Sequence, residues 1–301
     1  MDNIKLFTAG FNPRSRMVFF FRILSRLPLW LVHALGATLG QLVYRTSSTY
    51  RRHLDENLAQ AGFSPNLRHT VAAETGKQML ELSRIWLRSL EEANAQVVEV
   101  VGWEHVEAAR QSGRGIVFLT PHLGCFEITA QYLSAHFPIT VLYRPPKQAS
   151  AQYLIETGRQ RTQLHLAPAD LSGVRSLIKA LKRGQAVGLL PDQAPKTGEG
   201  VWLDFFGRPA YTMTLAARLT ETNAITLMTW GERLPGGRGY RLHFAPPQTE
   251  LNGDTVARAE QINREVEHLI SQCPTQYLWG YNRYKQPAGA DAPPAKKGLT
   301  E

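Results

Sequence analysis

The chain has 301 residues, 43% of them hydrophobic, enough to bury a substantial core, which excludes a disordered polymer and fits one large domain or a domain with an appendage. Two cysteines, Cys125 and Cys273, cannot build a disulfide framework, and no Cys-x-x-Cys or His-Glu-x-x-His spacing marks a metal site, so a reducing compartment and no metal are expected. The formal charge of +9 alone would allow a nucleic-acid partner, but eight basic residues against Asp2 put +7 within residues 1–52, around the most apolar segment, and this argues against nucleic acid.

That segment, Leu27–Tyr44, carries no formal charge, and Met17–Phe21 extends it upstream past Arg22 and Arg26. It is just long enough to span a thin bilayer, while His33, Gln41 and the two arginines fit shallow or monotopic insertion equally well. Basic flanks favour the anionic cytoplasmic leaflet, and the competing reading is an ordinary buried core helix. A cleaved signal peptide fits poorly, because arginines interrupt the apolar run and no small-x-small site follows it. Residues 1–46 are therefore expected to form a membrane anchor or interfacial helix.

From there, Arg51–Ala61 and Leu67–Leu90 read as helices, the second with Met79, Leu82, Ile85, Trp86 and Leu90 near helical spacing. Short β-branched or aromatic runs predict strands at Val97–Val101, Gly115–Thr120, Ile139–Tyr143, Ala186–Leu190, Ala224–Trp230 and Tyr240–Phe244. Helices are predicted between them at Trp103–Gln111, Leu123–His136, Ala149–Gln163, Leu171–Arg183 and Met213–Thr222, and a last one at Thr255–Ser271. Asp170 suits an N-cap and Gly184 a C′ position. The alternation implies an α/β layer structure over residues 47–286, with helices on both faces of the sheet and ligands at the carboxyl ends of strands. Residues 287–301, rich in Pro, Ala, Gly and Lys, are expected to be a disordered tail.

The sharpest chemical feature is Thr120-Pro-His-Leu-Gly-Cys-Phe-Glu127. Pro121 biases Thr120 towards extended structure and Gly124 relieves crowding, so His122 belongs at a strand-to-helix corner with Glu127 in the following helix. A carboxylate on Nδ1 fixes the tautomer and leaves Nε2 free to take a proton from a hydroxyl, which is general-base chemistry. The natural assignment is a His122–Glu127 dyad, with backbone N–H groups near Gly124 as oxyanion donors. Cys125 admits a thioester-nucleophile reading against ordinary packing. Asp192, after a predicted strand, reads as a turn residue or a site residue, and Arg159 as a solvated helix charge or a site residue.

The blocks Tyr143-Arg-Pro-Pro146, Arg159-Gln-Arg161, Leu190-Pro-Asp-Gln193, Phe205-Phe-Gly-Arg-Pro-Ala210 and Gln276-Tyr-Leu-Trp279 accompany the His122-x4-Glu127 core in this order, after Leu27-Pro28 and Arg51-Arg52…Glu56-Asn57-Leu58. With them the chain resembles, over nearly its whole length, the lipid A biosynthesis acyltransferases of the lauroyl and myristoyl transferase type. The resemblance implies an α/β fold, a mixed β-sheet with helices on both faces as in glycerolipid acyltransferases, plus N-terminal membrane-associating helices. It implies transfer of a fatty acyl group from acyl carrier protein to a hydroxyl of a lipid A precursor, at the cytoplasmic face of the inner membrane. The acyl carrier protein thioester is then a co-substrate, and no cofactor is expected. Partners are acyl carrier protein, an anionic glycolipid acceptor and membrane lipids.

By the same resemblance, Arg159 and Asp192 match positions important for activity. An arginine fork suits phosphate or carboxylate on an anionic lipid, Asp192 could bind sugar hydroxyls or position Arg159, and Arg208 is a second phosphate candidate. The chain departs from the family at Phe126, where tryptophan is common, and at Gly280-Tyr-Asn-Arg-Tyr-Lys285, which replaces a more basic run. Other acceptors, a lysophospholipid, an ornithine-type lipid or a phosphoglycolipid, fit the same chemistry. A non-catalytic basic membrane-binding protein is the reading from another class.

Overall fold

The computed structural model of the chain describes residues 13–144, 152, 156, 158, 159 and 161–294. Four helices lead into the sheet: α1 (Pro13–Arg26), α2 (Leu29–Thr46), α3 (Ser48–Gln60) and α4 (Arg68–Leu87), then a short α5 (Leu90–Asn94). The αβ part follows as β1 (Val97–Val101), α6 (Trp103–Gln111), β2 (Ile116–Leu119), α7 (Phe126–Ser134), β3 (Ile139–Tyr143), β4 (Leu164–Pro168), α8 (Leu171–Lys182) and β5 (Ala186–Leu189). A two-stranded hairpin, β6 (Gly200–Phe205) and β7 (Arg208–Met213), precedes α9 (Leu215–Thr220), β8 (Ile225–Arg233), β9 (Tyr240–Ala245) and α10 (Thr255–Gln272).

Seven strands form one mixed sheet in the order β1-β9-β8-β2-β5-β3-β4. The pairs β8/β2, β2/β5, β5/β3 and β3/β4 are parallel, while β9 runs antiparallel to β8 and carries β1 parallel on its far side. Strand alternation sends Ile116 and Phe118 into one core with Ile128, Leu133 and Ile139, and Val117 and Leu119 into a second core with Leu177, Val187 and Ile262. β2 is thus central and covered on both faces, and its carboxyl end emerges between buried layers.

The six predicted strands are present, and the helix starting at Leu171 is capped as its sequence indicates. Asp170 Oδ1 accepts from the N–H groups of Ser172 and Gly173, at 2.8 and 3.1 Å, and Gly184 adopts a positive φ of 71°. Most of the predicted Ala149–Gln163 helix lies outside the described residues. β4 and the β6/β7 hairpin were not predicted. The predicted tail is held at its start: the Thr197 hydroxyl donates to the Ala288 carbonyl at 2.7 Å and Trp202 Nε1 to that of Asp291 at 3.0 Å. The rest of that stretch, from residue 295, lies outside the described residues.

The apolar N-terminal segment is broken by Leu27-Pro28 into α1 and α2, because Pro28 lacks the donor needed to continue a helix. Among the described residues no helix is long and apolar enough to cross a membrane. α2 lies along α4 at glycine distance: a Cβ added at Gly40 would stand 1.9 Å from the Ala72 carbonyl oxygen, and one at Gly76 would stand 1.9 Å from that of Gly36. One face of α2, with Val32, His33 and Tyr44, is buried. The other exposes Leu35, Leu39 and Leu42.

A buried charged network ties this helical layer to the sheet. Arg233 of β8 donates from Nε and Nη2 to Glu81 of α4 at 2.8 and 2.6 Å, and from Nη1 to Glu74 at 2.7 Å. His33 of α2 (3.0 Å) and the Tyr240 hydroxyl (3.1 Å) also meet Glu81 Oε2. Burial pushes the Glu81 carboxyl up, but the Arg233 charge and the hydrogen bonds from Arg233 and His33 outweigh it and bring it down to about 2.

Candidate active site

β2 and β5 are adjacent and parallel, so their carboxyl ends bring together two loops far apart in sequence, as open α/β sheets do at ligand sites. Thr120 continues the ladder one step, its N–H donating to the Leu189 carbonyl at 3.1 Å. His122 follows Pro121, and Asp192 follows Pro191. His122 Nδ1 and Asp192 Oδ1 are 2.8 Å apart, and the His122 backbone N–H donates to Asp192 Oδ2 at 2.9 Å. Asp192 is buried. Burial raises its carboxyl, yet the charge of His122 and the hydrogen bonds from its ring and backbone hold it below the ordinary aspartate value. An ionised Asp192 accepts a hydrogen bond from Nδ1–H, the tautomer that leaves the Nε2 lone pair towards the cleft. There Nε2 meets the Gln193 side-chain amide nitrogen at 3.1 Å.

The carboxylate on His122 is therefore Asp192 and not Glu127. The loop after His122 is pinned: Gly124 N–H donates to Gln276 O at 3.0 Å, Cys125 N–H to Gly231 O at 2.7 Å, and Gln78 Nε2 to Gly124 O at 2.9 Å. Gly124 has a φ of 60°, and a Cβ there would come within 2.0 Å of the Gly231 oxygen. This turn delays α7 until Phe126, three residues after the predicted start, and its first turn sets the Phe126 ring 4.9 Å from the imidazole. Glu127 turns instead to Arg159, whose Nε donates at 3.0 Å and whose Nη2 meets the other oxygen, while Trp86 Nε1 donates at 3.1 Å. Glu127 is buried, and its negative charge overcomes burial to raise the Arg159 guanidinium further. The Gly124 and Cys125 N–H groups, expected as oxyanion donors, are both engaged by carbonyls.

Both oxygens of Asp192 engage His122, where sequence reasoning had it binding sugar hydroxyls or positioning Arg159. Arg159 likewise spends its fork on Glu127. The cleft brings together His122, Glu127, Arg159, Trp86 and Gln193. Arg208 is not on its wall; it lies at the start of β7 with its guanidinium 4.5 Å over the Tyr284 ring. Arg144 and Lys285 do line the cleft. Sequence reasoning gave no role to Trp86, which carries only a helical apolar signature, or to Gln193, whose adjacency to Asp192 was its one signal. Cys125 is buried, and burial followed by the Glu81 charge pushes its thiol well above the ordinary range, so it is a packing group and not a thiolate.

A buried carboxylate–imidazole pair opening onto a cleft with an embedded arginine can abstract a proton from a hydroxyl; among the described residues it offers no activated side-chain nucleophile. Residues 14–286 match the model of the bacterial lipid A biosynthesis acyltransferases. The chain is 27% identical over 299 residues to the lipid A biosynthesis lauroyltransferase of Escherichia coli K12, covering 95% of this chain and 97% of that one. It is 25% identical over 271 residues to a lipid A biosynthesis acyltransferase of Haemophilus influenzae (87% and 84% covered), and 24% over 277 residues to the palmitoleoyltransferase of E. coli K12 (88% of each). The chain belongs to the bacterial lipid A biosynthesis acyltransferase family and is an acyltransferase.

Proposed function

We propose that this acyltransferase moves a fatty acyl group from an acyl carrier protein thioester to a hydroxyl of a lipid A precursor, with His122 as general base and Asp192 as its orienting carboxylate. The observation that carries the reading is the double contact of Asp192 with His122, which aims Nε2 into a cleft walled by Arg144, Arg159 and Lys285. The acceptor hydroxyl displaces the Gln193 amide from Nε2 and gives up its proton there. Its oxygen attacks the thioester carbonyl, the C–S bond breaks, and the imidazolium returns the proton to the leaving thiolate. With Arg159 spent on Glu127, Arg144 and Lys285 are the cleft cations that favour an acceptor bearing phosphate or carboxylate. The Gln193 amide, released from Nε2, stands near the forming oxyanion as a donor.

The exposed Leu35, Leu39 and Leu42 of α2, with Phe19, Phe20 and Ile23 of α1, support monotopic attachment through residues 1–46 to the cytoplasmic face of the inner membrane. The Arg22, Arg26 and Arg45 charges beside them suit an anionic leaflet. Purified enzyme given acyl carrier protein thioester, with an under-acylated lipid A precursor and in parallel lysophospholipids, tests the reading. Acylation of the precursor, lost in His122→Ala, is expected; acylation of lysophospholipids alone would move the acceptor class and leave the His122 chemistry standing.

A further inference from the structure

Beneath α7 the sheet leaves a narrow apolar slot. Phe126, Glu127, Leu142, Arg159 and Leu190 line both this slot and the cleft that holds His122, so the two spaces share a wall and the Glu127–Arg159 pair forms a collar between them. Below the collar the lining is Phe118, Ala130, Val141, Leu133, Ile139 and Leu164. Thr120 and Thr129 are the polar exceptions, and the Thr129 hydroxyl is spent on the Phe126 carbonyl at 2.7 Å. Such a space is suited to hydrocarbon and not to water.

Gly188 of β5 lies in the wall of this slot, paired with Phe118 on one side and Val141 on the other. It is not among the glycines with positive φ, so the backbone does not require a glycine there. A glycine inside a strand weakens it and often marks the close approach of something else. A Cβ at Gly188 would stand 3.2 Å from Val141 Cγ1 and 3.6 Å from Ile139 Cδ1, which puts any side chain on the slot face. In depth, Leu190 at the mouth is two residues above Gly188, and Ala186, paired with Ile139, is two below, each step about 7 Å along a strand. A side chain at position 188 would therefore cut the slot at half its depth.

We propose that the slot under α7 takes the linear acyl chain of the donor and that the absent side chain at Gly188 sets how long a chain it accepts. This rests on the acyltransferase reading above. The slot holds only about 40 Å³ when empty, so the chain widens it as it descends past Gly188 towards Ile139 and Leu164, with the thioester carbonyl at the collar beside His122. One methylene in such a pocket discriminates by roughly 10- to 200-fold, so position 188 governs donor choice steeply.

The test is a donor profile, kcat/KM for saturated acyl carrier protein thioesters from octanoyl to palmitoyl, for the wild type, Gly188→Ala, Gly188→Phe and Ile139→Ala. Gly188→Phe should favour donors two to four carbons shorter than the wild-type optimum by at least ~10-fold, and Ile139→Ala should extend the profile upward. Val187→Leu, on the same strand but the opposite face, should leave it alone. An unchanged profile in folded Gly188→Ala and Ile139→Ala, with transfer intact, would overturn the proposal. Photolabelling with a pantetheine thioester bearing a diazirine at the chain terminus gives a readout independent of turnover. Label on the peptides holding Leu133, Ile139 or Leu164, lost in Gly188→Phe, supports the slot; label confined to α1 and α2 refutes it. A wild type that transfers from no donor yet is labelled in the slot would defeat the acyltransferase reading alone.

Discussion

Asp192 grips His122 through both carboxylate oxygens, one on the ring nitrogen and one on the backbone N–H, at 2.8 and 2.9 Å. The second contact fixes the loop as well as the imidazole. Removing the carboxylate thus frees both the tautomer and the position of the base. His122→Ala and Asp192→Ala should each lower kcat at least ~10²-fold, the scale of a positioned general base. Because the two act as one unit, the double variant should lose little beyond the worse single one. Steady-state kinetics on the three variants check this, and simple multiplication of the two losses would show that Asp192 does not act through His122.

The second pair, Glu127 with Arg159, predicts a different signature. Glu127 is buried and takes hydrogen bonds from Arg159 and Trp86, so Glu127→Ala strands a guanidinium that burial would otherwise disfavour. Breaking one side of a buried pair costs about 3–5 kcal/mol, whereas removing both sides costs less. Denaturant melts should show Glu127→Ala less stable than the Glu127→Ala/Arg159→Ala double variant. Arg159→Lys keeps the charge but not the two-pronged contact, and should lose activity while holding part of the stability. A double variant whose loss equals the sum of the two single losses would mean the pair is not coupled.

Much of this fold was legible because β-branched runs and caps are local signals. The strand at Ile116–Leu119 and the helix capped by Asp170 need only their own residues. β4 was missed because Leu164–Pro168 directly follows a stretch that reads as helix, and it forms by pairing with Ile139–Tyr143. The β6/β7 hairpin was hidden in a block taken as motif, although Phe206 and Gly207, both at positive φ, make the kind of turn that joins such strands. At the site, His122 was found at the predicted corner. Its partner was not, because five-residue spacing is visible in sequence and a contact across seventy residues is not. Only the β2/β5 adjacency makes Asp192 the nearer carboxylate.

Acid should expose the Glu81–Arg233 network. Glu81 sits near 2 in the folded chain against 4.5 as its ordinary value, so its folded form is the depressed one. The stability it contributes is present above about pH 4.5 and is lost as pH falls towards 2, in total of order 3 kcal/mol from a shift of this size. Glu81→Gln should therefore be less stable at neutral pH and show a flatter decline between pH 4.5 and 2 than the wild type. Urea unfolding across that window measures it. An identical slope for the two proteins would remove Glu81 from the acid response.

The proposed monotopic attachment can be tested apart from folding, because one face of α2 is buried and the other exposed. Val32, His33 and Tyr44 are buried against the protein, and the close glycine contacts of Gly36, Gly40 and Gly76 make α2 inseparable from α4. Deleting residues 1–44 would open that contact and confuse unfolding with release. Leu35, Leu39 and Leu42, at helical spacing, are exposed on the other face and are not among the buried core residues. Each apolar side chain moved out of water is worth about 1.5–3 kcal/mol, so Leu35→Gln/Leu39→Gln/Leu42→Gln should weaken binding to anionic vesicles at least ~10²-fold. The melting temperature should stay near that of the wild type, since none of the three belongs to the buried core. Vesicle sedimentation at fixed ionic strength reads the first and calorimetry the second. Undiminished binding by a folded triple variant would mean that another surface holds the protein to the membrane.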